Sequence, residues 1–240
     1  MQPLPLENLF LLDIETVSQA AGFDDLEDAW KDLWTEKSVK TLPPDMTVEE
    51  HYARRAALFA EFAQVICIST GYFRKEAGQW QLRIKSFYSA NEAEVLEGFA
   101  HTLAPMQAKN SKWTFAGHNI REFDLPFLCR RMIVHRIALP SILDFQHLRP
   151  WETPVLDTLH LWRFGDFKHF ISLKLLAATL GIPSPKDDID GSTVGEVFWR
   201  ENDLPRIAAY CQKDVATTAQ IILRLRNLPL LQPEQIVIVE

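Results

Sequence analysis

The chain has 240 residues, room for one large domain or a domain with a sizeable insertion. Hydrophobic content of 47% and charged content of 24% are those of an ordinary globular protein, and no apolar run approaches the ~20 residues that span a bilayer. A net charge of −7 opposes bulk attraction to nucleic acid, yet leaves open a local basic rim beside acids that a cation neutralises.

The opening "MQPLPLENLF" has neither a basic n-region nor an apolar core, so no secretory signal is expected. Residues 9–15 read as a buried strand. Residues 20–62 read as an insertion of two polar helices, and Thr47 and Glu50 have capping-box spacing in the second. Trp30 and Trp34 suit either a small core or an interface. Residues 61–73 and 79–89 form an expected hairpin around the turn "KEAG". Asn91 is expected to cap a helix ending near Leu103, ahead of Pro105. Residues 113–119 make a further short strand, followed by a helix over about residues 126–136. From Ser172 onward the pattern is mostly helical, including residues 204–226. Cys67, Cys129 and Cys211 are odd in number and widely spaced, which argues against a disulfide framework or a cysteine zinc site and for a reducing, cytoplasmic setting. The order predicts an α/β fold, a mixed β-sheet flanked by helices.

Three short motifs carry carboxylates. In "LFLLDIETVS", Asp13 and Glu15 are two apart on a strand and point to the same side. Adjacent like charges disfavour ionisation unless a cation sits between them. In "GHNIREFDLPFL", Asp124 precedes an apolar-periodic helix; by itself it reads as an N-cap, Phe123 as core and Asn119 as a turn residue. In "YCQKDV", Tyr210 and Asp214 are i and i+4, stacked on one helix face.

Taken in order, D-x-E, N-x3-F-D and Y-x3-D resemble the DEDD superfamily of 3′–5′ exonucleases, and the tyrosine resembles its DEDDy branch. The strings "DIET", "GHNIREFDLPFL" and "YCQKDV", with residues 172–194, are similar to stand-alone bacterial exonucleases related to the proofreading domain of family-B DNA polymerases. The resemblance spans most of the chain and is weakest before Glu61. It implies an RNase H-like fold, with residues 1–240 as a single exonuclease domain and residues 20–62 as its helical insertion. It implies two divalent cations, Mg²⁺ or Mn²⁺, for which carboxylate oxygens are suitable ligands. Asp13 would bridge the pair, Glu15 and Asp214 would complete the site of the attacking water's metal, and Asp124 would act on the second through water. Tyr210 would orient the nucleophile. Glu15 and the backbone near Thr16 would meet the terminal 3′-hydroxyl, with Asn119 supporting the acids and Phe123 stacking on a base or packing inward.

The implied reaction is release of nucleoside 5′-monophosphates from the 3′ end of single-stranded DNA, with any polymerase or repair partner acting in trans. The alternatives are the same hydrolysis on RNA and a non-catalytic nucleic-acid-binding module; retention of all four acids and Tyr210 speaks against the latter. Weaker features are Lys186 as a phosphate contact and "KDDIDG" as a turn. Arg121, Arg130, Arg131 and Arg136 form either a cationic rim or a solvated helix face, and Asp157 reads as a capping residue.

Overall fold

The computed structural model describes residues 4–109, 112–149, 152–183 and 189–239. Lys186 therefore lies outside the described residues, as does the first half of the "KDDIDG" turn. The elements in chain order are β1 (Leu9–Ser18), α1 (Asp28–Ser38), α2 (Val48–Arg55), β2 (Ala63–Glu76), β3 (Gln79–Tyr88), α3 (Glu92–Lys109), β4 (Thr114–Gly117), α4 (Asp124–Val134), β5 (Val155–Asp157), α5 (Thr158–Arg163), α6 (Leu173–Thr179), α7 (Val194–Glu196), α8 (Leu204–Leu225) and β6 (Ile236–Ile238). The strands form one mixed sheet in the order β5-β4-β1-β2-β3-β6. β1 and β4, β4 and β5, and β3 and β6 pair parallel, while β2 is antiparallel to both β1 and β3.

β1 lies inside the sheet with both faces covered, which is why it reads as an unbroken apolar run. Phe10, Leu12 and Ile14 pack into the core built with α3 and α4. Leu9 and Leu11 face the opposite way, into a core closed by Val215, Ala219 and Ile222 of α8. Strand alternation then carries Asp13 and Glu15 to the α8 side. α8 meets the sheet through Ile207, Cys211, Val215, Ala219 and Ile222, a stripe of three- and four-residue steps. Asp203 caps its start by accepting from the Arg206 amide at 3.1 Å.

The β2–β3 hairpin turns on Ala77 and Gly78, both at positive φ, the backbone of a two-residue type I′ loop. α1 and α2 lie between β1 and β2, and Thr47 and Glu50 exchange the two bonds of a capping box. Trp34 is core: it packs among Tyr52, Phe59 and Phe62, and its indole N–H donates to the Val48 carbonyl. Trp30 lies at the edge of that cluster.

Several expectations are corrected. α3 does not stop before Pro105 but continues to Lys109; proline removes one backbone donor, and His101, whose carbonyl loses that donor, is exposed to water. The short edge strand β6 follows the last helix. Arg131 belongs to no cationic rim. It is buried, donating to Glu92 through Nε at 2.8 Å and Nη2 at 2.5 Å and to the Ala60 carbonyl at 2.8 Å. Arg121 is likewise pinned to the Thr153 and Val155 carbonyls, while Arg130 and Arg136 are exposed. Among the described residues no helix is long and apolar enough to cross a membrane.

Candidate metal centre

The ladder between β1 and β2 shifts register between Glu15 and Thr16, with Ile66 the extra residue on β2. Such a bulge twists a strand and re-aims its side chains. Here it falls directly after the two acids. One ligand atom each from Asp13, Glu15 and Cys211 lie within 4.8 Å of one another. The Cys211 thiol donates to Asp13 Oδ2 at 3.2 Å and contacts the Asp13 carbonyl at 3.4 Å, joining α8 to β1 across 198 residues. Cys67, the ladder partner of Glu15, abuts Cys211 from β2.

One turn of α8 brings the third motif. The Tyr210 hydroxyl hydrogen-bonds Asp214, its i+4 neighbour, and Asp214 acts electrostatically on the β1 acids. The phenol's pKa is raised far above its ordinary value by burial and then by Asp214, Glu15 and Asp13, so Tyr210 stays neutral.

Asp124 arrives from the other side of β1. The connection after β4 turns through Asn119, held at φ 61°, a conformation asparagine tolerates better than most residues. Asp157 fixes this turn: its carboxylate accepts from the Asn119, Arg121 and Leu159 amides at 3.0, 3.1 and 2.9 Å. It is the cap of α5, as its sequence context suggests. Asp124 does not cap α4 but occupies its first position, and its Oδ1 accepts from the Ile14 amide at 3.1 Å. That amide sits between Asp13 and Glu15 in the chain, so the third acid is bonded to the strand segment carrying the first two.

These acids are costly neighbours. Asp13 is pushed well above the carboxylate range by burial and then by Asp214, Glu15 and Asp124. Glu15 is raised by burial, Asp214, Cys67 and Asp124. Asp124 is raised to about 7 by burial, Asp157 and Asp214, against the opposing pull of the Ile14 amide. Carboxylate oxygens, buried or half-buried and crowded to mutual repulsion, are a donor set that fits hard divalent cations, whose charge would remove the cost.

The remaining candidates are placed more simply. The Thr16 hydroxyl donates to the Ala57 carbonyl at 2.7 Å and ties the strand end to the helical segment between β1 and β2. Asn119 Oδ1 is buried and has no partner among the described residues. Phe123 is half-buried, its ring 5.3 Å from that of Phe127, so it packs inward. Cys211 is the neighbour that sequence reasoning passed over; its three-residue spacing from Asp214 was the available signal.

A family model described as a predicted 3′–5′ exonuclease related to the exonuclease domain of PolB matches residues 57–230. No curated protein matches. Among solved structures, the chain is similar to the family B DNA polymerase of the hyperthermophilic archaeon Pyrobaculum calidifontis, with a TM-score of 0.53 and 17% identity over 92% of the chain. The match covers 24% of that polymerase and establishes a shared fold.

Proposed function

The chain belongs to the family of predicted 3′–5′ exonucleases related to the exonuclease domain of PolB, and on that premise we propose that it hydrolyses single-stranded DNA from the 3′ end, releasing nucleoside 5′-monophosphates. The observation that supports this most is the hydrogen bond from Ile14 to Asp124, which joins acids from distant motifs into one group beside Tyr210 and Asp214. A related fold is shared by many functions, so the reading stands on these residues and the family, not on architecture.

Asp13, Glu15, Asp124 and Asp214 would hold two divalent cations of the Mg²⁺ or Mn²⁺ class. When bound, these supply charge neutralisation at the phosphoryl group and acidify water. Tyr210 donates to Asp214 and keeps its oxygen lone pairs to accept from, and so orient, the attacking water; burial and the neighbouring carboxylates, which raise its pKa, favour that role over one as the base. Glu15 and the backbone at Thr16 receive the terminal 3′-hydroxyl, which restricts attack to ends. Asn119 supports the acidic cluster from the turn ahead of Asp124.

The test is stepwise shortening of 5′-labelled DNA and RNA oligonucleotides of matched sequence, with and without Mn²⁺. Metal-dependent trimming that is faster on DNA and falls at least ~100-fold in Asp13→Ala is expected. A faster rate on RNA contradicts the substrate assignment, and equal activity in Asp13→Ala contradicts the site.

A further inference from the structure

Within the stretch "FGDFKHF", Phe164, Phe167 and Phe170 are 90%, 79% and 64% exposed. Exposed apolar side chains are normal singly, but three aromatic rings on one short loop mark a binding surface. The loop joins α5 to α6. It is held by its own bonds: Arg163 Nε donates to the His169 carbonyl at 2.7 Å, and Asp166 caps the Lys168 amide. Phe164 sits at φ 46°, a region that bulky residues rarely occupy and that persists where surrounding structure imposes it.

This loop leans on the segment that carries Asp124. Glu122 accepts from His160 Nε2 and Arg163 Nη1, each at 3.0 Å. His118 Nε2 lies 2.9 Å from the Ile171 carbonyl, to which it donates, at the loop's other end. Both ends of the loop are therefore tied to the segment that includes the turn of Asn119. Of the cations in residues 160–175, Arg163 is paired with Glu122, which leaves Lys168 and Lys174 exposed beside Asp166. Phenyl faces interleaved with lysines suit a flexible polyanion with planar bases, because stacking is indifferent to sequence and the lysines meet phosphates.

We propose that the loop from Phe164 to Phe170 is a stacking platform for the single strand leading to the 3′ terminus, the rings taking bases and Lys168 and Lys174 the backbone. This rests on the exonuclease reading for its occupant. It assigns to the loop a grip on substrate away from the scissile bond.

The experiment is fluorescence anisotropy of a 5′-labelled oligothymidylate of about 12 nucleotides in EDTA, comparing the protein with its Phe164→Ala, Phe167→Ala, Phe170→Ala triple variant. The rings are solvent-exposed, so the variant is expected to keep its thermal midpoint. The expected result is a Kd weakened at least about 100-fold, with kcat/KM on a dinucleotide in Mn²⁺ unchanged. An unchanged Kd overturns the proposal, and so does an unchanged Kd accompanied by lost binding to anionic vesicles, which would make the loop a membrane contact. Absence of Mn²⁺-dependent hydrolysis with the Kd effect intact would instead remove the exonuclease reading and leave the platform standing.

Discussion

The amide of Ile14 donates to Oδ1 of Asp124 over 3.1 Å, a bond between residues 110 apart in the chain. It fixes the start of α4 against the middle of β1, between Asp13 and Glu15. A bond to an ionised acceptor is about twice as strong as a neutral one, so this contact favours the charged carboxylate that burial opposes.

The balance has a pH signature. In the unfolded chain Asp124 ionises near 3.8, whereas in the fold it ionises at about 7. Between those values the folded protein holds a proton that the unfolded chain has released. Metal-free stability should therefore fall as pH rises from about 4 to about 7, by on the order of 1 kcal/mol per pH unit from this group. A cation that replaces the proton reverses the trend. Thermal denaturation should show Mn²⁺ raising the midpoint more at about pH 8 than at about pH 5. Equal increments would mean that Asp124 does not face the ion.

Tyr210→Phe removes a donor to Asp214 without removing a ring. Turnover should fall about 100-fold through misplacement of the nucleophile, with KM little changed. Because burial and the neighbouring carboxylates hold the phenol neutral, the alkaline limb of the pH–rate profile should be the same in both proteins. A limb lost in the variant would identify the tyrosine as a base.

Asp157 serves three amides and sits 2% exposed, so Asp157→Ala leaves buried donors without partners. A loss of about 3 kcal/mol in urea denaturation is expected. Mn²⁺ affinity should survive in the folded fraction, because the residue positions a turn and holds no ion. Abolished Mn²⁺ binding in a well-folded variant would promote it to a ligand.

Glu92 accepts from Val65 N, Arg131 Nε and Nη2 and His135 Nε2, a buried junction of β2, α3 and α4. Arg131→Ala should cost about 3–5 kcal/mol, since it leaves a buried carboxylate short of its partner. Adding Glu92→Leu should cost less than the two single changes summed. Additive losses in the double-mutant cycle would show that the pair is not coupled.

Much of the site was legible because its signals are local. Two-residue spacing on a strand put Asp13 and Glu15 on one side, and four-residue spacing on a helix put Tyr210 above Asp214. The capping box at Thr47 and the hairpin around Gly78 were legible for the same reason. What escaped depends on distant partners. Arg131 reads as a surface cation until Glu92, 39 residues earlier, is seen to receive it. Asp124 reads as a cap until Ile14 claims its oxygen. Exposure of the 164–170 rings is set by what the fold leaves uncovered, which no periodicity encodes.

Diffraction at the manganese absorption edge from crystals soaked in Mn²⁺ tests the central claim most directly. Anomalous peaks are predicted within coordination distance of Asp13, Glu15 and Asp214, with Asp124 reaching one directly or through water. Soaked crystals with manganese bound elsewhere and no peak among these acids would contradict the account.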